Sequence, residues 1–202
     1  MTALSASMRG TALLLCDLQN DFIHPRGAYA RGEQTSPDIA ALPARIAPLA
    51  KALRAKGGMV GATLFTLVPG RGGEPIISEH LKTLRPFLGK GDFAPGSWGQ
   101  QVVDELRPVD FEVEKVAYSA FHMSRLEWIL RKLNIEHLVV AGMVTNGGVA
   151  STVRDAHVRE FEVTVLSDGC ATFSQDVHRQ AIDGLRPVAR ISSVSECLFA
   201  LA

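Results

Sequence analysis

The hydrophobic pattern of this chain alternates between two periods. Short, nearly continuous apolar runs, such as residues 11–17 (TALLLCD), are typical of strands that are covered on both faces. Longer segments, such as residues 38–56, place an apolar residue at every third or fourth position, which indicates a helix. The pattern predicts strands over residues 11–17, 59–64, 111–115, 137–143, 162–166 and 188–192, and helices over residues 38–56, 98–106, 124–133, 146–159, 175–185 and 195–201. Strands that alternate with helices predict a parallel, doubly wound α/β sheet in one domain, residues 1–202.

Residues 65–96 are the least regular part of the chain, because proline and glycine recur throughout them. The pattern predicts a long loop there, with one helical turn near residues 78–84. Loops of this length are usually functional or disordered.

Composition excludes several classes of protein. The chain has 202 residues, 47% of them hydrophobic, and 21 Lys and Arg balance 21 Asp and Glu. A net charge of zero argues against a nucleic-acid surface and makes self-association electrostatically easy. No stretch of about 20 residues stays apolar, so no membrane span is predicted. The first ten residues, MTALSASMRG, lack the apolar region of a secretory signal, and only three cysteines are present; a cytoplasmic location is therefore predicted.

Candidate chemistry follows the ends of the predicted strands. In an open parallel sheet, a ligand binds beyond the carboxyl ends of the strands, near the point where the strand order reverses. Asp17 ends the first strand and Lys115 ends the third. Thr145, Asn146 and Gly147 follow the fourth strand and open a helix, whose N–H groups and dipole favour an anion.

Four segments resemble the isochorismatase-like hydrolase superfamily, in its order and spacing. They are CDLQNDF (16–22), EKVAYSAF (114–121), VAGMVTNGGVASTVRDA (140–156) and SDGCATFSQDVH (167–178). The resemblance implies a three-layer α/β/α fold with a six-stranded, mostly parallel, flavodoxin-like sheet. It also implies assembly as a homodimer or homotetramer, and we expect no cofactor.

The resemblance implies catalytic roles for three positions. Most relatives use an Asp–Lys–Cys triad, whose Asp matches Asp17 and whose Lys matches Lys115. The cysteine position is occupied by Gly148, so the route through an acyl-enzyme thioester is closed there. Isochorismatases are similar in carrying glycine at this place, and they hydrolyse a vinyl ether without a covalent intermediate.

Residues around these positions are expected to form the pocket. Phe22, Phe65 and Tyr118 are predicted as aromatic walls, and Val144, Thr145, Asn146 and Gly147 as substrate contacts. The family resemblance also implies a non-proline cis peptide between Val144 and Thr145. The metal-binding pattern of nicotinamidases is absent after the second strand, so no metal is expected. Arg71 and Arg85 are interpreted as solvated surface residues, with contact to a substrate carboxylate as the alternative.

The leading hypothesis is therefore a metal-free hydrolase that acts on a small, anionic molecule through Asp17 and Lys115, with vinyl-ether hydrolysis favoured. One alternative is an inactive homologue that binds a small molecule. Another is a C–N (amide or ureido) cysteine hydrolase whose cysteine at position 148 was lost or engineered away.

Overall fold

The structure is a computed structural model that describes residues 8–201. Residues 1–7 and 202 lie outside the described residues. They complete the predicted domain and include most of the amino-terminal segment MTALSASMRG. The strands are β1 Thr11–Cys16, β2 Met59–Phe65, β3 Phe111–Lys115, β4 His137–Met143, β5 Glu162–Ala171 and β6 Arg190–Ser192. The helices are α1 Asn20–Ile23, α2 Ala28–Arg31, α3 Pro37–Ala40, α4 Leu42–Ala55, α5 Glu79–Leu84, α6 Leu126–Lys132, α7 Ala150–Val158, α8 Gln175–Asp183 and α9 Val194–Leu201.

The predicted three-layer fold with a six-stranded sheet is confirmed, and every strand pair is parallel. The strand order is β3-β2-β1-β4-β5-β6. This is the order of the doubly wound dinucleotide-binding sheet, whereas the flavodoxin order is 2-1-3-4-5. The order reverses between β1 and β4, so the crevice for a ligand lies beyond the carboxyl ends of these two strands.

The core lies on both faces of the sheet because side chains alternate along each strand. In β1, Leu13 and Leu15 pack with α4 and α9 on one face. Leu14 and Cys16 pack with α6, α7 and α8 on the other. No helix within residues 8–201 has the length and apolar character needed to cross a membrane.

Two predicted helices differ from the structure. The helix over 38–56 is interrupted at Ala41, where α3 ends and α4 begins, because Pro43 has no N–H with which to continue the hydrogen bonding of α3. The helix over 98–106 is not formed. Its backbone instead pairs with the segment after β1, through a bridge between Gln19 and Val102, and only Asp104–Leu106 is helical, as a 3₁₀ turn.

Backbone conformation at the end of β1 positions the crevice. Asp17 has φ of 58°, in the left-handed region, so the chain turns sharply as soon as the strand ends. Gly142 of β4, which pairs with the preceding residue Cys16, has φ of 132°. A Cβ at Gly142 would lie 2.1 Å from the carbonyl oxygen of Cys16, so only glycine lets β1 and β4 approach so closely.

Candidate active site

Asp17 is buried at the carboxyl end of β1, with 5% of its surface exposed. Its Oδ1 accepts a hydrogen bond from the Thr63 hydroxyl at 3.0 Å. Its Oδ2 lies 2.7 Å from Nζ of Lys115. The two oxygens therefore have different partners, one on β2 and one on β3.

Lys115 reaches Asp17 from β3, across the intervening strand β2. Its side chain is buried, and Nζ lies 5.6 Å from the ring centroid of Phe65, the residue paired with it on β2. Besides contacting Asp17, Nζ donates to the carbonyl oxygens of Ala117 at 2.9 Å and Tyr118 at 3.3 Å. Three acceptors surround an ammonium group that has three hydrogens, so Lys115 is held in one position.

Burial raises the pKa of the Asp17 carboxyl above its ordinary value. Lys115 and the hydrogen bond from Thr63 act in the opposite direction, but removing the carboxylate from water outweighs them. The protonated form of Asp17 therefore persists to a higher pH than that of an exposed aspartate.

Gly148 faces this pair from the turn after β4. A Cβ built on Gly148 would lie 3.0 Å from Oδ2 of Asp17 and 3.6 Å from Nζ of Lys115. The three positions that the sequence singled out for catalysis are thus brought together. Gly148 belongs to a π-helical turn, Thr145–Val149, that continues directly into α7.

A cavity of about 310 Å³ opens in front of Asp17, Lys115 and Gly148. Four of the predicted substrate contacts line it: Phe22, Phe65, Tyr118 and Val144. The cis peptide of this region joins Met143 to Val144, so the predicted position, between Val144 and Thr145, was wrong by one residue.

Three other predicted contacts do not line this cavity. Thr145 is fully buried and its hydroxyl lies 2.8 Å from Nδ1 of His178. Asn146 accepts a hydrogen bond from Thr172. Gly147 lies under the ring of Tyr118, which a Cβ there would approach to 3.0 Å. Successive residues of a helical turn point in different directions, so only part of the turn faces the cavity.

The wall opposite Asp17 comes from residues that the sequence did not single out for the pocket, Tyr29 and Phe173, and from Arg85. The Tyr29 and Phe173 rings are stacked with centroids 6.1 Å apart. Nε of Arg85 donates to the Tyr29 hydroxyl at 3.3 Å, and the guanidinium lies 5.6 Å from the Phe173 ring. Sequence favoured a solvated surface role for Arg85; the structure places it in the cavity wall.

Metal ligands are not assembled anywhere in residues 8–201. No three side chains of His, Cys, Asp or Glu type are grouped so that they would hold an ion.

Comparison with known proteins identifies the family of this site. The family profile described as the isochorismatase domain matches residues 11–196, nearly the whole chain. The chain belongs to the isochorismatase family. The predicted resemblance, and with it membership of a family of hydrolases, is confirmed.

Solved structures of two hydrolytic enzymes share the fold. A cysteine hydrolase from Pseudomonas syringae pv. phaseolicola is 26% identical, with a TM-score of 0.82 over 100% of this chain and 96% of that chain. N-carbamoylsarcosine amidase from Thermoplasma acidophilum is 22% identical, with a TM-score of 0.71 over 91% of this chain and 96% of that one. At this identity the second likeness concerns the fold alone.

One sequence relative matches part of the chain at a higher sequence identity. Ureidoacrylate amidohydrolase RutB from Caulobacter segnis is 43% identical over a match of 95 residues, which covers 45% of this chain. The match spans 40% of the length of that relative.

Proposed function

We propose that this isochorismatase-family chain is a metal-free hydrolase of a small anionic molecule, in which Asp17 and Lys115 perform acid–base chemistry and Gly148 replaces the usual nucleophile. Hydrolysis of a vinyl ether is the favoured reaction. The observation that carries the proposal is the state of Asp17: burial raises its pKa, and Oδ2 points to the space beside Gly148, at the cavity.

In the proposed reaction, Oδ2 of Asp17 gives its proton to the terminal carbon of an enol ether. The electron pair of the C=C bond forms the new C–H bond, and the positive charge is shared with the ether oxygen. Water then adds to the cationic carbon and returns one proton to the Asp17 carboxylate. The hemiketal transfers its hydroxyl proton to the ether oxygen, and the C–O bond breaks to release an alcohol and a ketone.

Lys115 supports this cycle from a fixed position. When Asp17 gives up its proton, a carboxylate forms in a buried site, which is costly without a cation beside it. Nζ of Lys115 is already 2.7 Å from Oδ2 and is held there by two carbonyl oxygens. The ammonium therefore stabilises the carboxylate at the moment of proton transfer without having to move.

The opposite wall of the cavity supports an anionic substrate with an apolar body. Within residues 8–201, the guanidinium of Arg85 donates to a hydroxyl and a carbonyl oxygen, and no carboxylate pairs with it. A guanidinium forms bidentate hydrogen bonds to a carboxylate. Between Arg85 and Asp17, the cavity has an apolar wall made by Phe22, Phe65 and Phe173.

Hydrolysis of a C–N bond is the second candidate. Its support is the 43% identity with ureidoacrylate amidohydrolase and the geometry at Gly148, where a Cβ would contact both Asp17 and Lys115. A thiol there would be activated by the adjacent base and ammonium. We expect Gly148→Cys to gain hydrolysis of ureido acids or simple amides, measured as ammonia release, while Gly148→Ser gains far less because an alcohol is much less acidic.

The favoured reaction can be tested with 2-alkoxyacrylates, because their hydrolysis releases pyruvate. A coupled assay with lactate dehydrogenase measures that pyruvate. The wild-type chain is expected to release pyruvate, and Asp17→Asn to lose that activity. Activity on ureido acids by the wild-type chain, without pyruvate release, would replace the proposal by the second candidate. Binding of 2-alkoxyacrylates without any turnover would identify the chain as an inactive binder.

A further inference from the structure

The turn that carries Gly148 is held from behind by the segment around α8. The hydroxyl of Thr145, the first residue of the turn, lies 2.8 Å from Nδ1 of His178. The hydroxyl of Thr172 donates to Oδ1 of Asn146 at 2.9 Å. Both partners belong to the segment SDGCATFSQDVH (167–178), of which only Phe173 contributes to the cavity wall.

The position of this turn decides what faces Asp17. The turn is π-helical, and the N–H of Val149 donates to the carbonyl oxygen of Val144, five residues back, at 3.3 Å. Such turns are rare and frequently lie at functional sites. Thr145 is fully buried, so its hydroxyl cannot turn to water if its partner is lost.

We propose that His178 is a positioning residue: through its hydrogen bond to Thr145, it keeps the turn Thr145–Val149 where Gly148 faces Oδ2 of Asp17. His178 does not line the cavity in front of Asp17, so its effect on that site passes through Thr145. The inference goes beyond the proposed function, because it concerns the geometry of the turn and is independent of which bond the protein cleaves.

A cysteine at position 148 provides a reporter of this geometry. In the Gly148→Cys chain, the new Cβ would lie 3.0 Å from Oδ2 of Asp17 and 3.6 Å from Nζ of Lys115, so we expect the thiol beside these two groups. The native thiols of Cys16, Cys170 and Cys197 are buried, and burial raises the pKa of each, so they react slowly. Iodoacetamide therefore labels position 148 first, and mass spectrometry gives its alkylation rate as a function of pH.

Two substitutions of His178 in this background separate the hydrogen bond from the bulk of the ring. The amide of His178→Asn occupies the place of Nδ1, whereas the amide of His178→Gln extends to the place of Nε2. We expect His178→Asn to alkylate at nearly the parent rate. We expect His178→Gln to be about three- to tenfold slower, or to show a shifted pH profile, as expected for loss of one hydrogen bond.

Thr145→Val removes the same hydrogen bond from the other side. We expect it to slow alkylation as much as His178→Gln, and the double variant to be no slower than either single variant, because the two residues act as one unit. Arg179→Gln, at an exposed position on α8, is the matched control and is expected to leave the rate unchanged.

Several outcomes would overturn the proposal. These are an unchanged alkylation profile in His178→Gln, with or without a lower melting temperature, and additive effects in the double variant. If His178→Gln does not fold, Thr145→Val decides by the same measurement. Alkylation needs no substrate, so failure of this inference is distinguishable from failure of the proposed reaction.

Discussion

The two walls of the cavity are built in different ways. Asp17 and Lys115 belong to strand ends, are buried, and have short hydrogen bonds to β2 or to the segment after β3. Arg85 lies just after α5, a helix with no buried residue, and is half-buried. The sheet thus holds the acid and the cation in place, whereas a loop presents the group that would select the substrate.

This difference separates two properties of the site. Acid–base chemistry depends on pKa values and on fixed distances, which a packed sheet provides. Substrate selection depends on the shape and charge of the wall, which a loop can change without disturbing the core. Asp17, Lys115 and Gly148 form what we call the strand-end wall, and Tyr29 and Arg85 belong to the loop wall. Substitutions on the strand-end wall should therefore affect turnover and stability, and substitutions on the loop wall should affect substrate binding.

The largest effect is expected at the acid. Asp17→Asn keeps the shape and the hydrogen bond from Thr63 but cannot donate an acidic proton, so kcat on a 2-alkoxyacrylate should fall about 10²- to 10⁴-fold. KM should change little. A variant that retained wild-type turnover in the pyruvate assay would exclude Asp17 as the general acid.

Removal of the ammonium should affect stability as well as turnover. Lys115→Met leaves the Asp17 carboxylate buried without its cation, so the free energy of unfolding should fall by about 3–5 kcal/mol at alkaline pH. The loss should be smaller at acidic pH, where Asp17 is protonated, and smaller in the double variant Asp17→Asn/Lys115→Met. Urea denaturation at two pH values measures all three chains, and a pH-independent loss would contradict the assigned pairing.

A smaller effect, confined to binding, is expected on the loop wall. Arg85→Gln removes the cation that would hold a substrate carboxylate, so KM should rise about 10- to 100-fold, as expected for loss of a charge-assisted hydrogen bond. The kcat should stay near the wild-type value. Arg71→Gln, at an exposed position of the same loop that does not line the cavity, is the control. Equal effects of the two variants would remove Arg85 from the substrate site.

The smallest effect is the pH dependence of stability. Because burial raises the pKa of native Asp17, the native state binds the proton more tightly than the unfolded chain does. The stability that this provides is fully present below the unfolded value, near 3.8, and is lost as the pH rises through the native pKa. The free energy of unfolding of wild type relative to Asp17→Asn should therefore decrease with pH in that window, and an increase would reverse the assignment.

The strand-end wall was predictable because its residues are adjacent to strands. Asp17 and Gly148 follow apolar strands and Lys115 ends a short strand, and parallel strands bring their carboxyl ends to one edge of the sheet. The family resemblance added which residue types to expect there. The position of these residues does not depend on the path of any loop.

The loop wall was not predictable for the opposite reason. Tyr29 and Arg85 are separated by more than fifty positions, and each follows a segment rich in glycine and proline whose path depends on tertiary contacts. The helix expected over residues 98–106 was wrong because Gln19, a residue far away in sequence, pairs with Val102. Thr145 was misplaced because a short motif does not reveal which residues of a helical turn face inward.

The lack of buried residues in α5 has a consequence for protein engineering. Two of the residues that line the cavity, His80 and Leu84, lie on this helix and are exposed, so they contribute little to the core. Combinatorial libraries at these two positions can therefore sample new substrate preferences at little thermodynamic cost, while the proposed proton donor, Asp17, stays intact in every library member.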